Sequence, residues 1–284
     1  MKVCVIIPVF NEEDFIEKSI KSIINQTVKP EKVIYVNDSS TDNTKQLINK
    51  ISCDCDWIKI IDHKSKKEHI PGSKVVKAFN YGLKSLNIPY DIICKFDGDI
   101  VLPENYIEKI RNIFLSDSEI GLASGNLYIL AKEKWVYEKV AAKSHVRGPI
   151  KAYRRKCFEE IKGLKSCIGW DTVDVLLAQK KGWKIFTDKN LIVKHLKPTG
   201  KKYSLESKLY QGEALYTMRF GIVLSILSII KSSFNTKDPL KILFASCGFL
   251  ISFLKQKPFI VDKEEGKYIR NFRWNVIYSK YLKF

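Results

Sequence analysis

No stretch of this 284-residue chain holds twenty apolar residues in a row, the length an α-helix needs to cross the hydrocarbon of a bilayer. The longest apolar runs, residues 221–230 and 242–254, are too short to span. Cysteine is scattered: seven residues, an odd number, with no C-x-x-C pair. Cys53 and Cys55 alone do not make a zinc site, and an odd, unpatterned set argues against a disulfide framework. Reduced thiols in a cytosolic protein are expected. The N-terminal residues show neither the long apolar run nor the small-residue cleavage site of a signal peptide. There is no Walker P-loop, no G-x-G-x-x-G, no internal repeat and no low-complexity linker. Acidic residues are in deficit, 31 against 49 Lys and Arg, for a net charge of +18. Such a balance fits an anionic partner: a nucleotide diphosphate, an acidic membrane surface or a nucleic acid. No recognised nucleic-acid module is present, so nucleic acid is not the expected partner.

What the chain does contain is an alternation of strand and helix signals over its first half. Residues 3–9, 32–36, 57–61 and 92–96 are short β-branched or apolar runs. Between them lie segments of helical periodicity, the first with Asn11 as its expected N-cap and Glu12, Glu13 and Asp14 in its first turn. Strands separated by helices of this length predict an α/β fold with a mostly parallel, doubly wound sheet. In such sheets ligands sit beyond the carboxyl ends of the strands. Asn11-Glu12, Asp38 and Asp97-Gly98-Asp99 each follow a predicted strand. Two carboxylates two residues apart at such an end suit a hard divalent cation shared with a diphosphate. Gly98 is expected to let the backbone bend between them. Further on, residues 121–130 and 149–153 read as strands, 171–181 as a helix and 184–195 as a strand pair or extended segment.

These residues together resemble the family 2 glycosyltransferases. The likeness rests on Val5-Ile6-Ile7-Pro8-Val9-Phe10-Asn11-Glu12, on Val36-Asn37-Asp38-Ser39-Ser40-Thr41-Asp42, on Ala78-Phe79-Asn80-Tyr81-Gly82, on Asp97-Gly98-Asp99 and on Gly169-Trp170-Asp171. It implies a GT-A, Rossmann-like central sheet flanked by helices over residues 1–200. Residues 1–115 would form the nucleotide-sugar half and 116–200 the acceptor half. It also implies an inverting transfer from a nucleotide-diphosphate sugar, with Mg²⁺ or Mn²⁺, to a saccharide or polyprenyl-linked hydroxyl acceptor.

The same resemblance implies the site. Pro8, Val9, Asn11, Glu12, Asp38, Lys74, Asp97 and Gly98 would contact the nucleotide sugar, Asp38 by accepting hydrogen bonds from the base. Asp99 would be the main metal ligand, with His195 as a further one. Asp171 would be the catalytic base, and Asp174 is the second choice. Two departures from the family pattern stand out: Trp170 precedes Asp171 where an acidic residue is usual, and Phe79-Asn80 replaces a motif that often carries arginine. Arg147, Arg154, Arg155 and Lys156 could touch the diphosphate of a lipid-linked or nucleotide substrate, or form a solvated charge run.

Residues 201–284 lie beyond this likeness and are expected to form a helical, basic and apolar extension. Its two apolar runs are bordered by Lys231, Lys237, Lys241, Lys255 and Lys257, and its tail mixes Arg270, Arg273 and Lys280 with aromatics. Attachment to the cytoplasmic, anionic face of a membrane, a homodimer interface and completion of the core all remain open. Two other functions compete with glycosyl transfer. A sugar nucleotidyltransferase would carry a Gly-rich basic loop where this chain has Phe10-Asn11-Glu12-Glu13, and a non-enzymatic basic binding protein would not need the aspartates.

Overall fold

Short β-branched segments form the first strands because their side chains pack on both faces of a pleated sheet. The structure, a computed structural model, describes residues 1–65, 72–139, 145–197 and 205–281. These divide into two compact units, one of residues 1–65, 74–139, 145–164 and 181–197, the other of 72–73, 165–180 and 205–281.

The first unit begins with β1 (Val3–Val9), α1 (Glu13–Ile24), β2 (Lys32–Asp38), α2 (Thr44–Ile51) and β3 (Ile58–His63). Then follow α3 (Ser73–Lys84), β4 (Ile92–Phe96), the two-residue β5 (Ile100–Val101) and α4 (Tyr106–Ser116). The second half of the unit adds β6 (Ile120–Ala131), β7 (Lys134–Tyr137), β8 (Ile150–Arg154) and α5 (Arg155–Glu160). After α6 (Trp170–Lys180), which belongs to the other unit, β9 (Lys184–His195) completes the sheet. Residues 184–195 thus make one strand rather than a pair.

The strand order is β3-β2-β1-β4-β8-β6-β9-β5, with β7 paired to β6. The first four are mutually parallel; β8 runs antiparallel to β4 and to β6, whereas β9 is parallel to β6. The sheet is therefore parallel in its first half and mixed beyond it. Ile16, Ile20 and Ile23 of α1, spaced by one helical turn, pack with Val5, Ile7, Tyr35 and Phe96 in the core.

Parallel register puts the ends of β1, β2 and β4 at one sheet edge: Val9 lies beside Asn37, and Ile6 beside Lys95. The loops leaving β1 and β2 are tied together there. Asn11 is not the cap of α1; it takes a left-handed conformation (φ 52°), and Glu12 occupies the cap position. The Asn11 side chain instead accepts from Thr41 N at 2.8 Å and donates to Thr41 Oγ1 at 3.2 Å. The amide side chain is thus engaged by the loop after β2 and not by the start of α1.

The second unit contains α6, α7 (Leu205–Thr217), α8 (Ile222–Thr236), α9 (Leu240–Leu254) and α10 (Lys263–Tyr281). Helices α7 and α9 meet backbone to backbone. A Cβ on Gly212 would stand 1.8 Å from Ala245 O, and one on Gly248 2.0 Å from Leu209 O. Pro71 lies outside the described residues, as do the side chains of Lys280 and Tyr281.

Candidate active site

A short ladder assembles the acidic cluster. Asp97-Gly98-Asp99 links β4 to β5, and β5 pairs antiparallel with the end of β9, with Ile100 opposite His195. Leu196 N donates to Asp99 O at 2.9 Å, which closes the pairing. His195 is thereby carried alongside Asp99 from almost a hundred residues away. One ligand atom from each of Asp97, Asp99 and His195 lies within 4.8 Å of the others.

Gly98 is required for a reason other than a bend. A Cβ there would lie 2.9 Å from Val9 Cγ1, so the loop presses against the end of β1 where no side chain fits. Glu12 approaches from the same direction. Its carboxyl is pushed up to about 7, first by burial and then by the nearby charge of Asp99, with Lys197 opposing at 3.2 Å. Asp99 Oδ1 and Glu12 Oε2 are both buried with no hydrogen-bond partner. Buried carboxylate oxygens normally find a donor. A set of two or three carboxylates and one imidazole, with orphaned oxygens, is a donor set that a divalent cation would satisfy.

Behind the cluster lies a buried charge network. His195 Nε2 is 3.5 Å from Asp99 Oδ2, and its Nδ1 is 3.1 Å from Glu138 Oε2. Arg147 Nη1 donates to the same Glu138 oxygen at 2.9 Å. Burial disfavours the imidazolium, but the hydrogen bonds to Asp99 and Glu138 outweigh it and raise the His195 pKa to about 9. On the other side, the buried Lys95 ammonium pairs with Asp97 and reaches Gly148 O at 3.3 Å. Sequence reasoning missed Glu138 and Lys95. Lys95 carried a signal: a lysine inside an apolar strand, two residues before an aspartate at the strand end.

The other expected site residues fall as follows. Pro8 and Val9 close β1. Asp38 ends β2, and its two oxygens accept from Ser65 N at 3.0 Å and Ser65 Oγ at 2.9 Å. Lys74 sits in the first turn of α3. Arg147 is spent on Glu138 inside the network. Arg154 and Arg155 are at the wrong end: Arg154 lies opposite Ile92, the start of β4, because β8 runs antiparallel. Arg154 donates to Phe114 O, Asp117 O and Ile120 O, and Arg155 pairs with Glu159. Lys156 follows them into α5, so this basic run does not reach the carboxyl edge. Asp171 stands in the first turn of α6, in the second unit. Asp174 is fully buried, with Oδ1 accepting from Val175 N at 2.7 Å, and is not a surface charge.

Comparison with known proteins gives the family and the fold. The profile of the family described as Glycosyl transferase family 2 matches residues 4–162, which takes in β1, β2 and the Asp97-Gly98-Asp99 turn. The chain belongs to glycosyl transferase family 2. Among curated relatives, an uncharacterized glycosyltransferase of Haemophilus influenzae is 32% identical over 132 residues, 46% of this chain and 38% of that protein. A GalNAc(5)-diNAcBac-PP-undecaprenol beta-1,3-glucosyltransferase of Campylobacter jejuni is 38% identical over 73 residues, 26% of this chain and 24% of its own length. The chain thus spans well under half the length of these relatives. Among solved structures, a mannosyltransferase of Pyrobaculum calidifontis in complex with GDP-Man and Mn²⁺ aligns with a TM-score of 0.58 at 15% identity, over 99% of this chain and 81% of that one. TarS of S. aureus, residues 1–349 in complex with UDP-GlcNAc, aligns at 0.56 and 18% identity, over 76% and 67%. The family 2 chain therefore has the GT-A fold, with a helical C-terminal extension.

Proposed function

We propose that this family 2 chain is an inverting glycosyltransferase that moves a sugar from a nucleoside-diphosphate sugar to a hydroxyl acceptor, using Mg²⁺ or Mn²⁺. The observation that carries the proposal is the Asp97, Asp99 and His195 cluster at the carboxyl edge of the parallel strands, with Asp99 Oδ1 buried and unsatisfied. Asp99 and His195 would hold the cation, with Asp97 beside them. Pro8, Val9, Asn11, Glu12 and Asp38 would line the nucleoside pocket, and Lys74 would offer positive charge to the diphosphate. A bound cation supplies electrostatic stabilisation of the charge that grows on the departing diphosphate. The complexes of the two structural neighbours, with GDP-Man and with UDP-GlcNAc, support the donor class. The undecaprenol-linked name of the Campylobacter relative supports a lipid-linked saccharide as acceptor.

In the proposed reaction the acceptor oxygen forms a bond to the anomeric carbon from the face opposite the leaving group. The bond from that carbon to the β-phosphate oxygen breaks, and its electron pair leaves with the nucleoside diphosphate. The hydroxyl proton passes to Asp171, the candidate base. The test is release of nucleoside diphosphate from candidate sugar nucleotides by the native chain and by Asp99→Asn and Asp171→Asn. Both variants should lose turnover, with donor binding retained in Asp171→Asn. Full activity in either would remove the role given to that residue. Pyrophosphate release from a nucleoside triphosphate would favour a nucleotidyltransferase instead.

A further inference from the structure

Helices α8 and α9 are built inside out. A helix that packs on a water-soluble protein turns its large apolar side chains inward. In α8 the buried positions are Leu224, Ser225, Ile229 and Ser233, two of them serines. Its exposed stripe is Ile222, Ile226, Leu227, Ile230 and Phe234, the last 77% exposed. In α9 the inward positions are Lys241, Ala245, Gly248 and Ser252, and the small ones let α7 approach. Leu243, Leu250, Ile251 and Leu254 point outward, Leu254 at 70%. More than half of the exposed large apolar side chains among the described residues fall between 222 and 259. So large a concentration marks a binding surface rather than ordinary surface scatter.

We infer that the α8–α9 hairpin is the surface by which this protein lies on an anionic lipid leaflet. Three observations choose lipid over a protein partner. First, the stripe is aliphatic and phenylalanyl; protein interfaces draw their energy from Trp, Tyr and Arg. Second, charge is one-sided. Residues 222–257 hold five lysines and one acid, Asp238, and Lys208 already pairs with that acid at 2.7 Å. A second copy would bring lysine against lysine, whereas anionic headgroups complement Lys231, within α8, and Lys237 and Lys255, at the C-terminal ends of α8 and α9, all three exposed. Third, length forbids crossing. Each helix has 15 residues, roughly 22 Å at the α-helical rise, against about 30 Å of hydrocarbon. No helix of the described residues is long and apolar enough to cross a membrane. The hairpin therefore lies in the interface, its apolar stripes among the acyl chains and its lysines at the headgroups. The inference stands independently of the donor site.

Flotation of the full chain with vesicles tests it. The protein should float with vesicles of phosphatidylcholine and phosphatidylglycerol in equal parts. Binding should weaken on pure phosphatidylcholine and at high salt. The double variant Ile226→Asp, Leu250→Asp replaces residues 49% and 55% exposed, so circular dichroism and unfolding midpoint should be unchanged. Its affinity for vesicles should fall by about 30-fold, from half of each side chain's transfer into hydrocarbon. A second readout does not depend on that variant. Cys247 is exposed on α9, and in a chain with Cys53→Ser and Cys55→Ser an environment-sensitive fluorophore on it should shift to the blue when vesicles are added. Failure to float at low salt, an unshifted fluorophore, or a stable dimer that ignores vesicles would each overturn the inference, the last by assigning the face to a second copy.

Discussion

Replacing Glu138 by Gln tests whether that residue shapes the proposed cation site or contacts substrate. Gln keeps the volume and one acceptor but loses the charge. In the native chain that charge meets Arg147 at 2.9 Å and His195 at 3.1 Å, with both carboxylate and guanidinium almost fully buried. A hydrogen bond to a charged partner contributes roughly 1.5–3 kcal/mol, so the variant should be less stable by about 2 kcal/mol; truncation to Ala, which strands a buried arginine charge, should cost about 3–5 kcal/mol. The imidazole loses one of the two acceptors that raise its pKa to about 9, so its titration, followed by NMR in metal-free protein, should move down. Because the folded pKa lies above the ordinary 6.5, protonated His195 stabilises the metal-free fold below about 6.5, and that contribution is lost as pH rises through about 9. Groups that orient a metal ligand typically contribute 10- to 100-fold in metal affinity, roughly 1.4–2.7 kcal/mol. Turnover measured against Mn²⁺ concentration should therefore shift to higher metal by that factor, and saturating Mn²⁺ should restore most of the rate. An unchanged Mn²⁺ dependence would refute the reasoning. So would a loss of turnover that no amount of metal repairs, since Glu138 would then act on substrate directly.

Asp99→Asn alters a carboxylate whose buried Oδ1 has no hydrogen-bond partner and which stands with Asp97 and His195. A donor nucleotide with Mn²⁺ should raise the melting temperature of the native chain and not of this variant; a rise retained in the variant would place the cation elsewhere. Asp171→Asn should lower kcat by about 10²- to 10⁴-fold, the usual worth of a general base, with the KM for donor little changed. Gly212→Ala drives a methyl to within 1.8 Å of Ala245 O; overpacking of this kind costs about 1–3 kcal/mol or more, visible as a lower urea midpoint, and an unaltered midpoint would mean that α7 and α9 do not meet there. Alkylation should modify exposed Cys53 and Cys247 in the native chain while Cys4 and Cys167 react only on unfolding. Burial holds those two thiols up at about 11 and about 12, so stability should decline as pH rises from 9 toward those values.

Where the chain's chemistry is local, its sequence displays it. Strands β1, β2 and β4 announce themselves by β-branched runs, and each ends in a polar turn, so the parallel edge bearing Asn11, Asp38 and Asp97 was legible from spacing alone. Their common orientation follows from the helices between them, since parallel neighbours need crossovers. The second half of the sheet offered no such rule. Strand β8 reverses against β4, and this reversal carries Arg154 and Arg155 away from the edge to which a linear reading had assigned them. The charge network behind His195 was illegible for a related reason. Glu138 and His195 are 57 residues apart and meet only because β9 lies beside β6 and β7 pairs with β6. Glu138 itself sits among Lys134, Trp135 and Lys139, where a glutamate reads as a solvated charge.

The apolar extension poses the converse problem. Hydrophobic periodicity identifies a buried face only when the opposite face is polar. In α8 and α9 nearly every position is apolar or small, so composition could not say which side packs. Size, not polarity, carries the information: Ala245 and Gly248 stand where Leu209 and Gly212 of α7 press close, and a larger residue at either site would separate the helices. Once the small face is fixed inward, the Leu and Ile face has no choice but to point out. An exposed face of that kind in water exacts a standing free-energy cost and invites aggregation. The lysines that interrupt and border it, with almost no acids among them, are the charge that the inferred anionic leaflet would complement, and there the cost would become a gain.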